Sequence, residues 1–85
     1  MSIQEYYNEV KIFLLPGNIE ANCNGITFIN TGTNACTVNG ITLQPNQSLV
    51  LDGNRGEIDR TSYYCNFTGL GVNQLTVIRK LYTGC

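Results

Sequence analysis

The chain reads as an all-β domain, a small antiparallel β-sandwich or barrel of about six to seven short strands with a short N-terminal arm or helical turn. Three observations predict this. Asn39-Gly40 lies between two short alternating runs, Cys36-Thr37-Val38 and Ile41-Thr42-Leu43, which is the strongest local signal for a two-residue β-hairpin. Runs rich in Val, Ile, Thr, Tyr and Phe recur along the chain. Clusters of Gly, Pro, Asn and Asp punctuate those runs at short intervals.

The hairpin fixes a register. Val38 faces Ile41, Thr37 faces Thr42 and Cys36 faces Leu43, so one pairing places Cys36, Val38, Ile41 and Leu43 on a single apolar face and turns both threonines the other way. At the N-terminus, Ser2-Ile3-Gln4-Glu5 matches a capping box, and Ile3, Tyr6, Tyr7 and Val10 recur at helical spacing, which predicts a turn or two of helix. From Glu9 the pattern changes to alternation through Val10, Ile12 and Leu14, a strand stopped by Pro16-Gly17-Asn18. Residues 1–18 are therefore read as an arm with interface potential, and residues 19–85 as a single β-sandwich domain. Further strands are expected at residues 26–30, up to Leu43, 48–51, 61–67 and 74–82. The turns between them are Thr31-Gly32-Thr33-Asn34, Gln44-Pro45-Asn46-Gln47, Asp52-Gly53-Asn54-Arg55-Gly56 and residues 68–73.

With 85 residues, a single core has only a thin margin over the entropy of ordering the chain. Charged residues make up 13%, about half of the usual ~25% of soluble proteins, and net charge is −1. The basic residues Lys11, Arg55, Arg60, Arg79 and Lys80 form no run that would hold phosphate or anionic lipid, so neither nucleic acid nor membrane is an expected partner. A nearly neutral surface gives weak protection against self-association, which suits a protein that lives in an assembly. Residues 1–5 carry no basic segment, and the apolar run over residues 10–15 is interrupted by Lys11, so no signal peptide and no bilayer-crossing stretch is read.

Four cysteines, Cys23, Cys36, Cys65 and Cys85, allow three complete disulfide pairings. Without an export signal, thiols are the preferred reading. Cys36 faces the core by the hairpin register, and Cys65 alternates with Tyr63 and Phe67, so both are expected as buried thiols, with a 36–65 bridge as the alternative. No two cysteines are close in sequence and histidine is absent, which argues against zinc. The same absence excludes Ser-His and Cys-His nucleophile pairs. The six carboxylates, Glu5, Glu9, Glu20, Asp52, Glu57 and Asp59, are dispersed, and the nearest pair, Glu57 and Asp59, reads as solvated or turn-stabilising. Asp52-Gly53-Asn54 lacks the alternating ligands of a calcium loop. Arg55-Gly56-Glu57 is an ordinary turn string, and the sequons at Asn46 and Asn66 carry meaning only on a secretory route. No catalytic, metal or cofactor site is expected, and the chain does not read as an enzyme. Tyr6, Tyr7 and Phe13 crowd the arm and are expected in an intermolecular contact, whereas Tyr63, Tyr64, Phe67 and Tyr82 read as core or half-buried strand positions.

Residues 26–48, Ile26-Thr27-Phe28-Ile29-Asn30-Thr31-Gly32-Thr33-Asn34-Ala35-Cys36-Thr37-Val38-Asn39-Gly40-Ile41-Thr42-Leu43-Gln44-Pro45-Asn46-Gln47-Ser48, resemble the modules of small accessory virion proteins in tailed bacteriophages, crAss-like phages among them. Residues 75–82 are similar to the final strand of such chains, and the resemblance spans about two thirds of the sequence. It implies a structural part of the particle: a capsid decoration, a neck or tail ring, or a fibre anchor, assembled in the host cytoplasm. The implied partners are other virion proteins and copies of the chain itself. It supplies no catalytic residues, and four cysteines in so short a chain depart from the pattern. The reading from a different class is a small module that binds carbohydrate or a host surface through exposed aromatics and asparagines.

Overall fold

In the computed structural model, residues 5–53 and 56–82 are described. Ser2, Ile3 and Gln4 of the expected helix cap, Asn54 and Arg55 of the turn string, and Cys85 lie outside the described residues. Asn39 and Gly40 take the positive φ values, 48° and 85°, that a type I′ turn requires. They close the hairpin of β4 (Cys36–Val38) and β5 (Ile41–Leu43) in the expected register. Asn39 also docks the turn on its neighbour, since its Oδ1 accepts from the Tyr64 N–H at 2.8 Å and its N–H donates to the Tyr64 carbonyl at 2.9 Å.

From that tip the chain pairs outward in nested order. β3 (Gly25–Asn30) pairs with β6 (Ser48–Asp52), β2 (Gly17–Glu20) with β7 (Ser62–Phe67), and β1 (Tyr6–Phe13) with β8 (Leu75–Tyr82), all antiparallel. Two further pairings, β3 with β8 and β4 with β7, complete two four-stranded sheets in the orders β1-β8-β3-β6 and β2-β7-β4-β5. One long hairpin wound over two sheets in this way is a jelly roll. The all-β sandwich is thus present, with eight strands among the described residues rather than six or seven.

The strand not anticipated is β2. It was read as a stop at Pro16-Gly17-Asn18, and of its four residues only Ile19 is buried, so it shows no alternation to detect. The expected helical turn is also replaced. Tyr6 and Tyr7 open β1, whose eight residues pair one for one with β8, and this long-range register overrides the helical spacing of Tyr6, Tyr7 and Val10. The boundary at residue 18 falls inside β2, and the arm's strand is an edge of the first sheet.

The core lies between the sheets. Ile26, Phe28, Leu75 and Val77 of the first sheet meet Ile19, Cys36, Val38, Leu43, Tyr63 and Cys65 of the second, with Ala21 and Cys23 from the connection between β2 and β3. Phe28 and Tyr63 pack edge to face across the layers, ring centroids 5.1 Å apart. Ile41 shares the inner face by register yet stays half exposed, because β5 is a three-residue edge strand. At the open side of the sandwich, Arg79 of β8 grips Glu9 of β1 and donates to the Ala21 carbonyl at 2.7 Å.

Three buried asparagines organise the loops. Asn30 donates to the carbonyls of Asn34 at 2.8 Å and Leu43 at 2.9 Å, and accepts from the Gly32 N–H at 3.1 Å. Asn34 donates to the Gly69 carbonyl at 3.0 Å and to Asn73 Oδ1 at 2.6 Å. At the opposite end, Asn24 donates to the Glu57 carbonyl at 2.7 Å and accepts from the Tyr82 N–H at 3.0 Å. Gly32 lets the loop after β3 lie flat on residues 72–74, where a Cβ would collide with the Val72 carbonyl oxygen. Among the described residues every buried side-chain nitrogen or oxygen has a partner.

Asn30→Ala is expected to cost about 2–3 kcal/mol, because it removes the amide donations to the Asn34 and Leu43 carbonyls inside the fold, while the Gly32 N–H keeps the Gln74 carbonyl at 3.1 Å. Urea unfolding checks this as a fall in midpoint at unchanged slope.

Candidate functional site

Alternation assigns every strand residue to a face, and the two outer faces of the sandwich differ. On the second sheet the outward positions are Asn18, Glu20, Ser62, Tyr64, Asn66, Thr37 and Thr42, with no aliphatic residue among them. This is the polar face that a solvated antiparallel sheet presents. On the first sheet, register aligns Val10, Ile78, Thr27 and Val50 in one row across all four strands. The next row is Ile12, Thr76, Ile29 and Ser48, and the row on the other side is Asn8, Lys80, Gly25 and Asp52. Val10, Ile12 and Val50 are 59%, 57% and 63% exposed. This face thus exposes β-branched aliphatic side chains among polar ones, which sets it apart from the outer face of the second sheet.

Tyr6 and Tyr82 close one end of that face, with rings tilted at 5.7 Å and the Lys80 ammonium 5.0 and 5.3 Å from their centroids. The three aromatics assigned to an interface are not brought together. Tyr6 is on the outer face, while Tyr7 and Phe13 point to the other side of the same strand, where Phe13 packs against the core and Tyr7 remains exposed. The aliphatic residues that make the outer face were missed. Their signal is the lack of alternation in Ile26-Thr27-Phe28-Ile29 and Leu49-Val50-Leu51, which marks strands apolar on both sides.

Cys36 and Cys65 are fully buried on the inner face of the second sheet, and Cys23 is buried beside its end; all three are free thiols. Burial pushes each thiol up from its ordinary value, and for Cys36 the neighbouring Cys65 adds to the effect. Such thiols are poor nucleophiles.

Of the paired carboxylates, Asp59 is engaged in structure. It accepts from the Thr61 N–H at 2.8 Å and from the Tyr63 hydroxyl at 2.6 Å. Burial opposes its ionisation, but hydrogen bonds from Thr61 and Tyr63 prevail and hold its carboxyl below the ordinary value. Burial, reinforced by the bond to Asp59, raises Tyr63. Asp52, Glu57 and Asp59 border a hollow of about 330 Å³, yet among the described residues no group of three acidic or cysteine side chains is disposed to hold a metal ion. A second hollow of about 270 Å³ opens between the edges of β1 and β2, floored by Phe13, Ile19 and Val77 and rimmed by Lys11, Glu20 and Arg79. It is smaller than a typical ligand pocket.

Tyr63→Phe is expected to cost about 1–2 kcal/mol at neutral pH. Because Asp59 is lowered in the folded state, it stabilises the fold above its ordinary value of 3.8, and that contribution is lost as pH falls through the lowered one. Tyr63 acts in the opposite sense, stabilising below 10.0 and losing its contribution as pH rises beyond it. Unfolding measured from pH 7 down to pH 2 is expected to show a smaller acid loss in Tyr63→Phe than in the native chain.

Mass spectrometry after alkylation is expected to find Cys23, Cys36 and Cys65 unmodified in the folded protein and all three modified in denaturant.

No family model, curated protein or solved structure matches this chain.

Proposed function

We propose that this protein is a structural component of a phage particle, a capsid decoration, neck or tail ring or fibre-anchoring part, that acts through protein–protein assembly without a catalytic step. The observation that carries the reading is the contrast between the two outer faces: one without an aliphatic residue, the other lined by Val10, Ile12, Ile29, Val50 and Ile78. Low charge and a two-layer β scaffold support it, as does the sequence resemblance. The mechanism is geometric. A flat sheet face contributes modest affinity per contact, and repetition on a symmetric lattice multiplies it. Jelly rolls serve both capsid and sugar-binding roles, so the scaffold alone does not choose between them.

One observation favours the second reading, a carbohydrate-binding module. Tyr64 stands 49% exposed on the outer face of the second sheet, opposite Asn18 and in line with Ser62 and Asn66, a ring flanked by amide and hydroxyl groups. Binding of neutral oligosaccharides that shifts the Tyr64 resonances would favour it.

Particles banded on a density gradient from a culture that carries the gene are expected to contain the chain at a fixed, symmetric copy number. Recovery of the chain only in the particle-free fraction would overturn the proposal.

A further inference from the structure

We propose that the outer face of the first sheet is covered by the same face of a second copy, about a two-fold axis that runs along the strands between β8 and β3. The inference rests on reading that face as an assembly surface, and it names the partner. Such an axis keeps each row at its own level and reverses the order of strands, so β1 lies over β6 of the second copy and β8 over β3. The row Val10, Ile78, Thr27, Val50 then meets itself reversed: Val10 stacks on Val50 of the second copy and Ile78 on Thr27. In the next row Ile12 meets Ser48 and Thr76 meets Ile29, large against small in both pairs.

Charge supports the same partner. Among the fourteen outward positions of the first sheet, Tyr6, Asn8, Val10, Ile12, Ser48, Val50, Asp52, Gly25, Thr27, Ile29, Thr76, Ile78, Lys80 and Tyr82, there is one cation, Lys80, and one anion, Asp52. They share a row and attract each other at longer range within one copy, without a direct ion pair, the Lys80 ammonium lying instead by the Tyr6 and Tyr82 rings. Across the axis Lys80 lies over Gly25 of the second copy, where no side chain stands. The Asp52 carboxylate leans over that glycine, 2.6 Å from where a Cβ would sit. Each copy thus offers its cation to the other's anion, twice per dimer, and the face is neutral as a whole. A partner with a strongly charged surface would gain nothing here.

The area sets the strength. Four strands at ~4.8 Å spacing and ~3.3 Å per residue give roughly 400 Å² in projection per copy. Two copies together cover about 800 Å² in projection, increased by the relief of the side chains, which is below the ~1,200 Å² of stable specific interfaces and in the range of weak, transient ones. The dimer is therefore reversible in solution and is reinforced where copies are held on a lattice.

The test is solution mass by sedimentation across a concentration series on the purified chain. The native protein is expected to pass reversibly from monomer to dimer. Val10→Lys combined with Val50→Lys, both at exposed positions, is expected to remain monomeric with an unchanged unfolding transition. Thr42→Lys on the polar face is expected to leave dimerisation unaltered. Lys80→Glu and Asp52→Lys are each expected to weaken the homodimer about tenfold, through two like-charge contacts. An equimolar mixture of the two is expected to restore dimers, because both charge pairs are then opposite again. A native chain that stays monomeric, a dimer indifferent to the Val10 and Val50 changes, or a mixture that fails to restore association would overturn the proposal. Absence of the chain from particles would leave this dimer standing, and a monomer would leave the particle role to another surface.

Discussion

Everything in this fold hangs on the chirality of two peptide units. Asn39 and Gly40 reverse the chain with positive φ, and the twist of that reversal matches the twist of paired strands, so the chain leaves the turn already in register. Because the pairings are nested, each closes a loop around the previous one: β3 with β6 around the tip, then β2 with β7, then β1 with β8. A slip at the tip would exchange core and solvent faces in β4 and β5 and misalign the neighbours built on them. The two hydrogen bonds between Asn39 and Tyr64 join the tip to β7, so the turn is fastened to the sheet that it organises.

The loops depend on a different device. Asn24, Asn30 and Asn34 are buried amides whose donors and acceptors meet backbone groups both near and far in sequence, and in Asn34 also the Asn73 side chain. A small domain has little apolar surface with which to hold its ends shut, and buried amides with every group satisfied give direction that apolar contacts lack. Arg79 does similar service at the open side, where one guanidinium ties β8 to β1 and to the backbone between β2 and β3.

Much of this was legible in the sequence, and the exceptions have physical reasons. The hairpin register and the inward direction of Cys36 and Cys65 follow from period two and the turn type. β2 is invisible because Ile19 is its one buried side chain, and a strand defined by its neighbours leaves no periodic trace. Tyr6, Tyr7 and Val10 satisfy helical and extended spacing alike, and only the presence of β8 decides between them. Asn30 and Asn34 look like turn formers, since composition does not distinguish an amide that makes a turn from one that holds two loops together. The outer face is illegible in the sequence because alternation marks one apolar face per strand, and in Thr27, Ile29, Val50 and Ile78 the opposite face is β-branched too.

The pairing of β1 with β8 has a kinetic side. The eight residues that open the fold find their hydrogen-bond partners in the last eight of the pattern, so sheet one cannot close until residues 75–82 exist. Loop-closure entropy favours the short central turn first, and each pairing shortens the closure left for the next, which orders assembly from the central turn outward with this pairing last. On the ribosome β1 emerges first and waits longest, a strand with Val10 and Ile12 on one side and Phe13 on the other and no mate. A neighbouring chain further along in synthesis would offer the same β8 to a waiting β1, so the architecture leaves room for exchange of that strand between copies.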